Sequence, residues 1–384
     1  MSLATEAQAQ ETVFTQADGA TLEQAGTLIE HHLQSLWARP EWARQIPPLM
    51  LWGPPGIGKS TLIRDLCRQL EISFIDVRLA QREPIDLRGL PVPGADGVHW
   101  QVSAEWPRDP DSRGIILFDE LTAADRSLQV AAYEFILDRR LGELYAVPDG
   151  WYICAAGNRS QDRAVAVPLS SALANRFCHL ELQVDADGWS RWALAAGLHP
   201  DVIAFINFRP ECLFDMSGDV QRGWPSPRSW ERVSTALLLA AEASLDEACL
   251  RLQIHGLVGR GAGTEFLAFR QWAAELPDVG AMLRGTVPVQ IPERADQRHA
   301  LCATMVYRLW RAEQAEQPRL LDGFFAISEK LPSDFAAMAM INALTGRDAT
   351  ETRTRSKQLF EHPRFEHWTR RHGSAFARQQ GRAG

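Results

Sequence analysis

The fold of this chain is decided by residues 49–60, whose sequence is LMLWGPPGIGKS. An apolar run breaks there into a loop of glycine and proline and ends in Gly-Lys-Ser, the pattern that wraps nucleotide phosphates. A buried strand that delivers such a loop to the start of a helix presents backbone N–H groups and a partial positive charge to a triphosphate. Apolar residues at helical spacing follow directly, so a helix is indicated after the loop. The segment predicts ATP binding; an ordinary Gly/Pro turn before a helix is the alternative interpretation.

The loop residues predict how phosphates and a metal ion would be held. The Lys59 ammonium would neutralise charge on the outer phosphates, and the Ser60 hydroxyl would take one coordination position on Mg²⁺. Glycine is required in such a loop because a Cβ would block the approach of the backbone to the ligand. ATP and Mg²⁺ are therefore the expected cofactors. The expected nucleotide-binding residues are Gly53, Pro54, Pro55, Gly56, Ile57, Gly58, Lys59, Ser60 and Thr61.

A second motif, GIILFDE at residues 114–120, is an apolar run that ends abruptly in two carboxylates. Such a run is typical of a strand buried on both faces, and ligands of open α/β sheets lie at the carboxyl ends of the strands. Asp119 would hold Mg²⁺ directly or through water, and Glu120 would orient or deprotonate the water that attacks the γ-phosphate. Alone, the motif also fits a simple strand end; after a phosphate loop it indicates a hydrolytic site.

Two further polar residues come after this motif along the chain. Asn158 directly follows the apolar run at residues 151–157. We expect Asn158 to lie beside Glu120 and to help place the attacking water; an asparagine that merely ends a strand at a turn is the alternative. Residues 170–177 predict a short helix with Arg176 near its end, where a lone arginine is ordinarily a solvated charge.

The order of these motifs resembles that of the AAA+ ATPases, and most of all their MoxR-like branch. The resemblance covers about residues 20–260. Three further segments contribute to it: PIDLRGLP at 84–91, ALANRF at 172–177 and WPSPRSWE at 224–231.

The resemblance implies roles for three of the polar residues. Asn158 would be sensor 1, Arg176 an arginine finger that reaches a neighbour's nucleotide, and Arg228 sensor 2 of a helical lid. Pro227 stands where a helix would begin, so Arg228 would lie in the first turn and project back toward the phosphates. Without the resemblance, Arg228 would be interpreted as a surface charge. The expected catalytic residues are Glu120, Asn158, Arg176 and Arg228.

The apolar patterning predicts an α/β fold, with a parallel sheet covered by helices and a helical part beyond Asp185. The resemblance implies that this is a P-loop AAA+ parallel-sheet core with helices on both faces, followed by a helical lid and a C-terminal all-helical region. Residues 21–38 predict an amphipathic helix, and glycines clustered between 256 and 263 predict a boundary. The expected strands are 49–52, 72–79, 115–118, 151–156 and 178–184. The expected domains are an N-terminal helical segment at 1–40, the nucleotide-binding core at 41–185, the lid at 186–262 and the C-terminal extension at 263–384.

An arginine supplied by a neighbour requires a head-to-tail contact that closes into a ring, which the AAA+ resemblance implies is a hexamer. The MoxR-like resemblance implies a remodelling or maturation chaperone whose protein partner carries a von Willebrand factor A domain. A nucleic-acid-directed AAA+ motor and a nucleotide-switched scaffold are the alternatives. Residues 89–108 and 139–152 predict two hairpin insertions. The resemblance implies that they face the pore or the partner; solvent loops are the alternative.

Composition bears on partners and location. The formal net charge of −8 argues against a general nucleic-acid binder. Six cysteines without a C-x-x-C pair indicate reduced thiols. The sequence shows neither a secretory signal nor a membrane span, so we expect a cytoplasmic protein without a membrane partner. Residues 351–384 hold eight Lys/Arg against three Glu, which favours a frayed, solvated tail; a basic docking surface is the alternative.

Overall fold

The chain forms two compact units, Met1–Val184 and Asp185–Gly384. The expected domain divisions near residues 40 and 262 stay predictions. The computed structural model describes residues 19–95, 97–163, 167–276, 278–346 and 349–380.

The first unit alternates strands with helices. Its strands are β1 (Leu49–Trp52), β2 (Ser73–Arg78), β3 (Leu90–Gly94), β4 (Gly97–Gln101), β5 (Gly114–Asp119), β6 (Arg140–Leu141), β7 (Tyr145–Ala146), β8 (Trp151–Gly157) and β9 (Cys178–Glu181). Its helices are α1 (Leu22–Ala38), α2 (Lys59–Gln69), α3 (Pro84–Arg88), α4 (Arg126–Asp138) and α5 (Ser171–Ala174). Five strands form one parallel sheet in the order β2-β5-β8-β1-β9. The predicted α/β fold class is confirmed.

The central strands explain why the candidate site lies at one edge of this sheet. Every residue of β8 and every residue of β5 except Asp119 is buried or nearly so, because layers cover both faces of a parallel sheet and only apolar side chains are stable there. Polar residues therefore occur where these strands end. Since the strands are parallel, the segments that follow β1, β5 and β8 meet at the same edge.

Helix α1 starts and packs as the sequence predicts. The Thr21 hydroxyl accepts the Gln24 N–H at 3.1 Å, and the Gln24 side chain accepts the Thr21 N–H at 3.0 Å, so the two residues form a capping box. The face of the helix that packs on the unit is apolar. Its buried residues are Ala25, Ile29, Leu33 and Leu36. Residues 1–18 of the expected N-terminal segment lie outside the described residues.

Both predicted hairpin insertions contain antiparallel strand pairs. β3 pairs with β4, and β6 pairs with β7 over two residues each. The β3–β4 pair is exposed almost throughout. Asp96, in the predicted turn of that hairpin, lies outside the described residues.

Every strand or helix that the structure describes in the second unit is a helix, as expected beyond Asp185. Its helices are α6 (Ala186–Ala195), α7 (Pro200–Phe208), α8 (Pro227–Ala243), α9 (Glu247–Val258), α10 (Arg260–Ala274), α11 (Val279–Leu283), α12 (Ala295–Arg311), α13 (Gln317–Ser328), α14 (Ser333–Leu344), α15 (Ala349–Phe360) and α16 (Phe365–Gln380). Of the clustered glycines, Gly259 separates α9 from α10, with a φ of +77° that favours glycine. Gly256, Gly261 and Gly263 lie inside those two helices. Across the described parts of both units, no helix combines the length and apolar character needed to cross a membrane.

The expectation of a frayed C-terminal tail is wrong up to Gln380. Residues 349–380 include α15 and α16, and four apolar residues of these helices pack in or against the core of the second unit: Leu359, Phe365, Trp368 and Phe376. Trp368 is fully buried, and its indole N–H donates to the Ser328 hydroxyl at 2.7 Å. The prediction failed because the basic residues of these two helices lie mostly on the solvent side. On the inner face of α16, the buried Trp368 anchors the helix.

Candidate active site

The phosphate loop joins β1 to α2 through a backbone that only glycine adopts easily. Gly53 has a φ of +154°, and a Cβ there would lie 2.9 Å from the Ile57 side chain. Gly58, with a φ of +107°, caps α2. The first bond of the helix runs from the Leu62 N–H to the Gly58 carbonyl at 2.9 Å. The amides of residues 59–61 therefore precede the hydrogen-bonded ladder and lie at the positive end of the helix dipole, where an anion is stabilised.

Lys59 lies inside the loop that it is predicted to serve. Its side chain is buried, and its ammonium donates to the carbonyls of Gly53 at 2.6 Å and Pro54 at 2.9 Å. It also donates to Asn158 Oδ1 at 3.3 Å. These neutral acceptors stabilise a buried cation, and an anionic phosphate oxygen is a stronger acceptor than any of them. Lys59 is thus held where a triphosphate bound by the loop would meet it.

Ser60 and Asp119, the two predicted metal ligands, are in direct contact. The Ser60 hydroxyl donates to Asp119 Oδ2 at 2.5 Å. The other carboxylate oxygen, Oδ1, accepts the Glu120 N–H at 2.9 Å, which fixes the orientation of the carboxylate. A hydroxyl and a carboxylate at the end of a strand form the oxygen-only donor set that Mg²⁺ prefers. These residues fit the predicted cofactor.

Glu120 occupies a strained position immediately after β5. Its φ is +56°, a left-handed conformation that costs a residue with a Cβ about 1–2 kcal/mol. The next residue fixes this turn, because the Leu121 N–H donates to the Ala156 carbonyl of β8 at 2.9 Å. The exposed Glu120 side chain follows the buried strand at the same sheet edge as the phosphate loop. Strain of this kind is common at functional sites, where the surrounding structure enforces it.

Asn158 is fixed by a residue that the sequence did not single out, Thr122. The Asn158 N–H donates to Thr122 Oγ1 at 3.0 Å, and the Thr122 hydroxyl donates to the Asn158 carbonyl at 3.2 Å. With its side chain bonded to Lys59, Asn158 connects the end of β8 to the phosphate loop. A threonine two residues after Glu120 was the available signal, but its role depends on the pairing of β5 with β8.

Asp76 of β2 is a second residue that the sequence did not single out. Its Oδ1 is buried and has no hydrogen-bond partner among the described residues. Burial, and then the charge of Asp119, raise the pKa of the Asp76 carboxyl above its usual value, while Arg78 and Arg64 act in the opposite direction. An acid inside the apolar strand FIDV was the available sequence signal.

Arg176 lies at the other edge of the sheet from the phosphate loop of its own chain. It comes two residues before β9 begins, whereas the loop follows the end of the neighbouring parallel strand β1. Its exposed guanidinium contacts the Tyr133 hydroxyl and lies 5.5 Å from the centre of that ring. It borders a cavity of about 270 Å³ that Arg44 and Arg139 also line. The structure therefore does not bring Arg176 together with Glu120 and Asn158 within one subunit.

Arg228 lies in the first turn of α8, in the second unit. Pro227 is the first helical residue, and the Ser226 hydroxyl caps the helix by accepting the Ser229 N–H at 3.2 Å. Its neighbours in the turn are buried, whereas the Arg228 side chain is exposed. The predicted helix start is confirmed, and the sensor-2 role of Arg228 stays a prediction.

Comparison with protein-family models agrees with this geometry. The model of the family "ATPase family associated with various cellular activities (AAA)" matches residues 49–161. No curated protein matches the chain. Among solved structures, the FIGL-1 AAA domain in complex with ADP is 17% identical, with 74% of this chain and 96% of that chain covered and a TM-score of 0.37. NtrX from Brucella abortus in complex with ADP is 16% identical, with 98% of this chain and 70% of that chain covered and a TM-score of 0.34.

The family match spans the features built up above: the phosphate loop, the strand that ends in Asp119 and Glu120, and the strand that ends before Asn158. Phosphate-binding amides, a metal-binding pair and a water-activating carboxylate are the parts that nucleotide hydrolysis requires. The chain therefore contains an AAA ATPase domain at residues 49–161 and is an ATP-hydrolysing enzyme.

Proposed function

We propose that this ATPase is a Mg²⁺-dependent, MoxR-like enzyme that forms a ring, a hexamer by family resemblance, and remodels or matures a protein partner. The observation that carries the proposal is the position of Arg176. Its exposed guanidinium lies at the sheet edge opposite its own phosphate loop. A residue so placed serves a nucleotide only if that nucleotide is bound by another subunit.

Within one subunit, different side chains would bind the phosphates, the metal ion and the attacking water. Lys59 would neutralise the outer phosphates, and Ser60 with Asp119 would hold Mg²⁺, which would supply further neutralisation of phosphate charge. Glu120 accepts a proton from the attacking water, and Asn158 orients that water. Phosphoryl transfer depends mainly on positioning and electrostatic stabilisation, so the fixed contacts of Lys59 and Asn158 suit it.

The neighbouring subunit completes the site with Arg176. A guanidinium that meets the charge developing on the γ-phosphate accelerates hydrolysis by about 10³–10⁵-fold in related chemistry. Because the donor and the acceptor surfaces differ, the contact is head-to-tail, and a ring is the closed assembly that such a contact can form.

A protein partner is supported by the exposed β3–β4 hairpin. Side chains at paired positions share a face, and one face consists of Pro91, Pro93, Val98 and Trp100, all exposed. Val98 is 61% and Trp100 49% exposed. Apolar side chains presented in this way suit a protein surface better than a phosphate backbone. By family resemblance we propose a partner with a von Willebrand factor A domain.

A nucleic-acid-directed motor is the second candidate. The observation in its favour is the set of basic side chains exposed on α15 and α16: Arg353, Lys357, Arg370, Arg371 and Arg378. Stimulation of phosphate release by DNA or RNA, steeply reduced by added salt, would favour this candidate. Stimulation by a co-purifying protein alone would favour the chaperone.

The shared site is tested by mixing two inactive variants. We expect Arg176→Ala and Glu120→Gln each to bind ATP and to hydrolyse almost none. In a random equal mixture, about a quarter of the sites combine an intact Glu120 with an intact Arg176 from the neighbour, whatever the ring size. Phosphate release should therefore recover to roughly a quarter of the wild-type rate.

Two results of the mixing experiment would overturn the shared site. If Arg176 acts within its own chain, the mixture stays inactive. If Arg176 is not needed, Arg176→Ala alone retains full activity. Native mass spectrometry of the Glu120→Gln protein with ATP gives the ring size, expected to be six.

A further inference from the structure

Helix α2 faces two carboxylates, only one of which belongs to the predicted metal pair. Ser60 and Arg64 are four residues apart, on one face of the helix. Ser60 contacts Asp119 at 2.5 Å, and Arg64 Nη2 lies 3.6 Å from Asp76 Oδ2. The two contacts lie next to each other between α2 and the strands β5 and β2.

The strand register places both carboxylates on the same face of the sheet. β2 pairs with β5 so that Asp76 lies opposite Leu117, two residues before Asp119. Side chains at paired positions, and at positions two residues further along, point to one side. Asp76 is therefore the diagonal neighbour of Asp119 across two adjacent parallel strands.

The cations beside Asp76 do not satisfy its carboxylate. Arg64 and Arg78 lie 3.6 and 3.9 Å from Oδ2, beyond hydrogen-bond distance. Oδ1 is buried and without a hydrogen-bond partner among the described residues. An unsatisfied buried acceptor costs about 1–3 kcal/mol, and more when it is charged. Such a group calls for a specific explanation.

We propose that Asp76 is a positioning residue of the magnesium site, whose carboxylate accepts hydrogen bonds from the water molecules that Mg²⁺ retains. The inference rests on the proposed Mg²⁺ dependence. Mg²⁺ keeps several waters when one or two carboxylates bind it, and those waters need acceptors of fixed position. Asp76 supplies one on the side of β2, while Ser60 and Asp119 bind the ion itself. Outer carboxylates of this type change metal affinity by about 10–100-fold.

The Asp76→Asn variant tests this role through nucleotide binding, without turnover. The probe is a fluorescent, non-hydrolysable ATP analogue, whose dissociation constant is measured in EDTA and at increasing Mg²⁺. We expect Asp76→Asn to bind the analogue in EDTA as the wild type does, and to need about tenfold more Mg²⁺ for half of the metal-dependent tightening.

The matched control is Asp65→Asn, which removes an equal charge from α2. Asp65 pairs with Arg68 of the same helix at 3.0 Å. The Asp65→Asn variant should therefore keep the wild-type Mg²⁺ midpoint. If Asp76→Asn also keeps that midpoint, Asp76 is only a structural partner of the two arginines and the inference falls. If the wild type itself does not respond to Mg²⁺, the proposed Mg²⁺ dependence fails instead.

A second variant covers the case in which Asp76→Asn does not fold. Asp76→Glu keeps the charge but moves the carboxylate by one methylene. Because retained waters require an acceptor at a fixed place, we expect the Mg²⁺ midpoint to shift by at least about threefold. An unchanged midpoint in folded Asp76→Glu, verified by thermal melting, would overturn the inference.

Discussion

Replacement of Thr122 by valine tests how the candidate active site is positioned. The Thr122 hydroxyl exchanges two hydrogen bonds with the backbone of Asn158, at 3.0 and 3.2 Å. Thr122 is only 2% exposed, so the methyl group of valine leaves both backbone groups without their partner. Two bonds at about 1 kcal/mol each predict a loss of about 2 kcal/mol in the free energy of unfolding.

The same change should affect catalysis more than nucleotide binding. Asn158 Oδ1 lies 3.3 Å from Lys59 Nζ, and its place depends on the backbone that Thr122 fixes. A displacement of about 1 Å in a positioning group costs on the order of 10²-fold in rate. The loop amides are unaffected, so we expect kcat to fall strongly and the dissociation constant for ATP to change little.

Urea unfolding, steady-state phosphate release and nucleotide titration measure the three quantities. Thr122→Ser keeps the hydroxyl and is the matched control, expected to remain close to the wild type in both kcat and stability. A Thr122→Val protein with the stability and kcat of the wild type would refute the reasoning. It would mean that neither hydrogen bond contributes to the position of Asn158.

Three further predictions concern single residues. Lys59→Ala should weaken ATP binding by at least about tenfold, because a charge-assisted contact to phosphate is lost; calorimetry checks this against Lys357→Ala, an exposed lysine on α15. Trp368→Ala should lower the free energy of unfolding by about 3–5 kcal/mol, whereas Phe360→Ala, 45% exposed, should change it little; equal effects in urea unfolding would contradict the packing of α16. Burial lowers the pKa of His299 from 6.5 to about 4, so the unfolded chain binds a proton that the folded chain does not. The stability contributed by neutral His299 is present above about pH 6.5 and is lost as pH falls toward 4. The melting temperature of His299→Leu should therefore fall less steeply than that of the wild type as the pH is lowered from about 6.5 to 4.

Local sequence patterns were sufficient for the sheet and for most of the phosphate site. The apolar runs of β5 and β8 are unmistakable because a strand buried on both faces tolerates almost no polar residue. The loop between β1 and α2 is equally local, because its glycines are required by backbone conformation. The contact of Ser60 with Asp119 follows once those two elements are placed side by side.

The residues that the sequence did not reveal are defined by strand pairing. Asp76 matters because β2 pairs with β5 in one register, and Thr122 because the turn after β5 meets the end of β8. Neither relation is visible along a single strand. The packing of the last two helices was mispredicted for a different reason, since the many charged residues at 351–384 suggested a solvated tail although Trp368 is fully buried.

Phosphate release by Glu120→Gln tests the central claim, hydrolysis at this site, most directly. Wild-type and variant protein are compared at saturating ATP and Mg²⁺, with Lys59→Ala purified in parallel to report contaminating ATPase. Loss of a general base costs about 10²–10⁴-fold, so Glu120→Gln should bind ATP as the wild type does while its rate falls by at least about a hundredfold. A variant that releases phosphate at the wild-type rate, well above the Lys59→Ala background, would contradict the account.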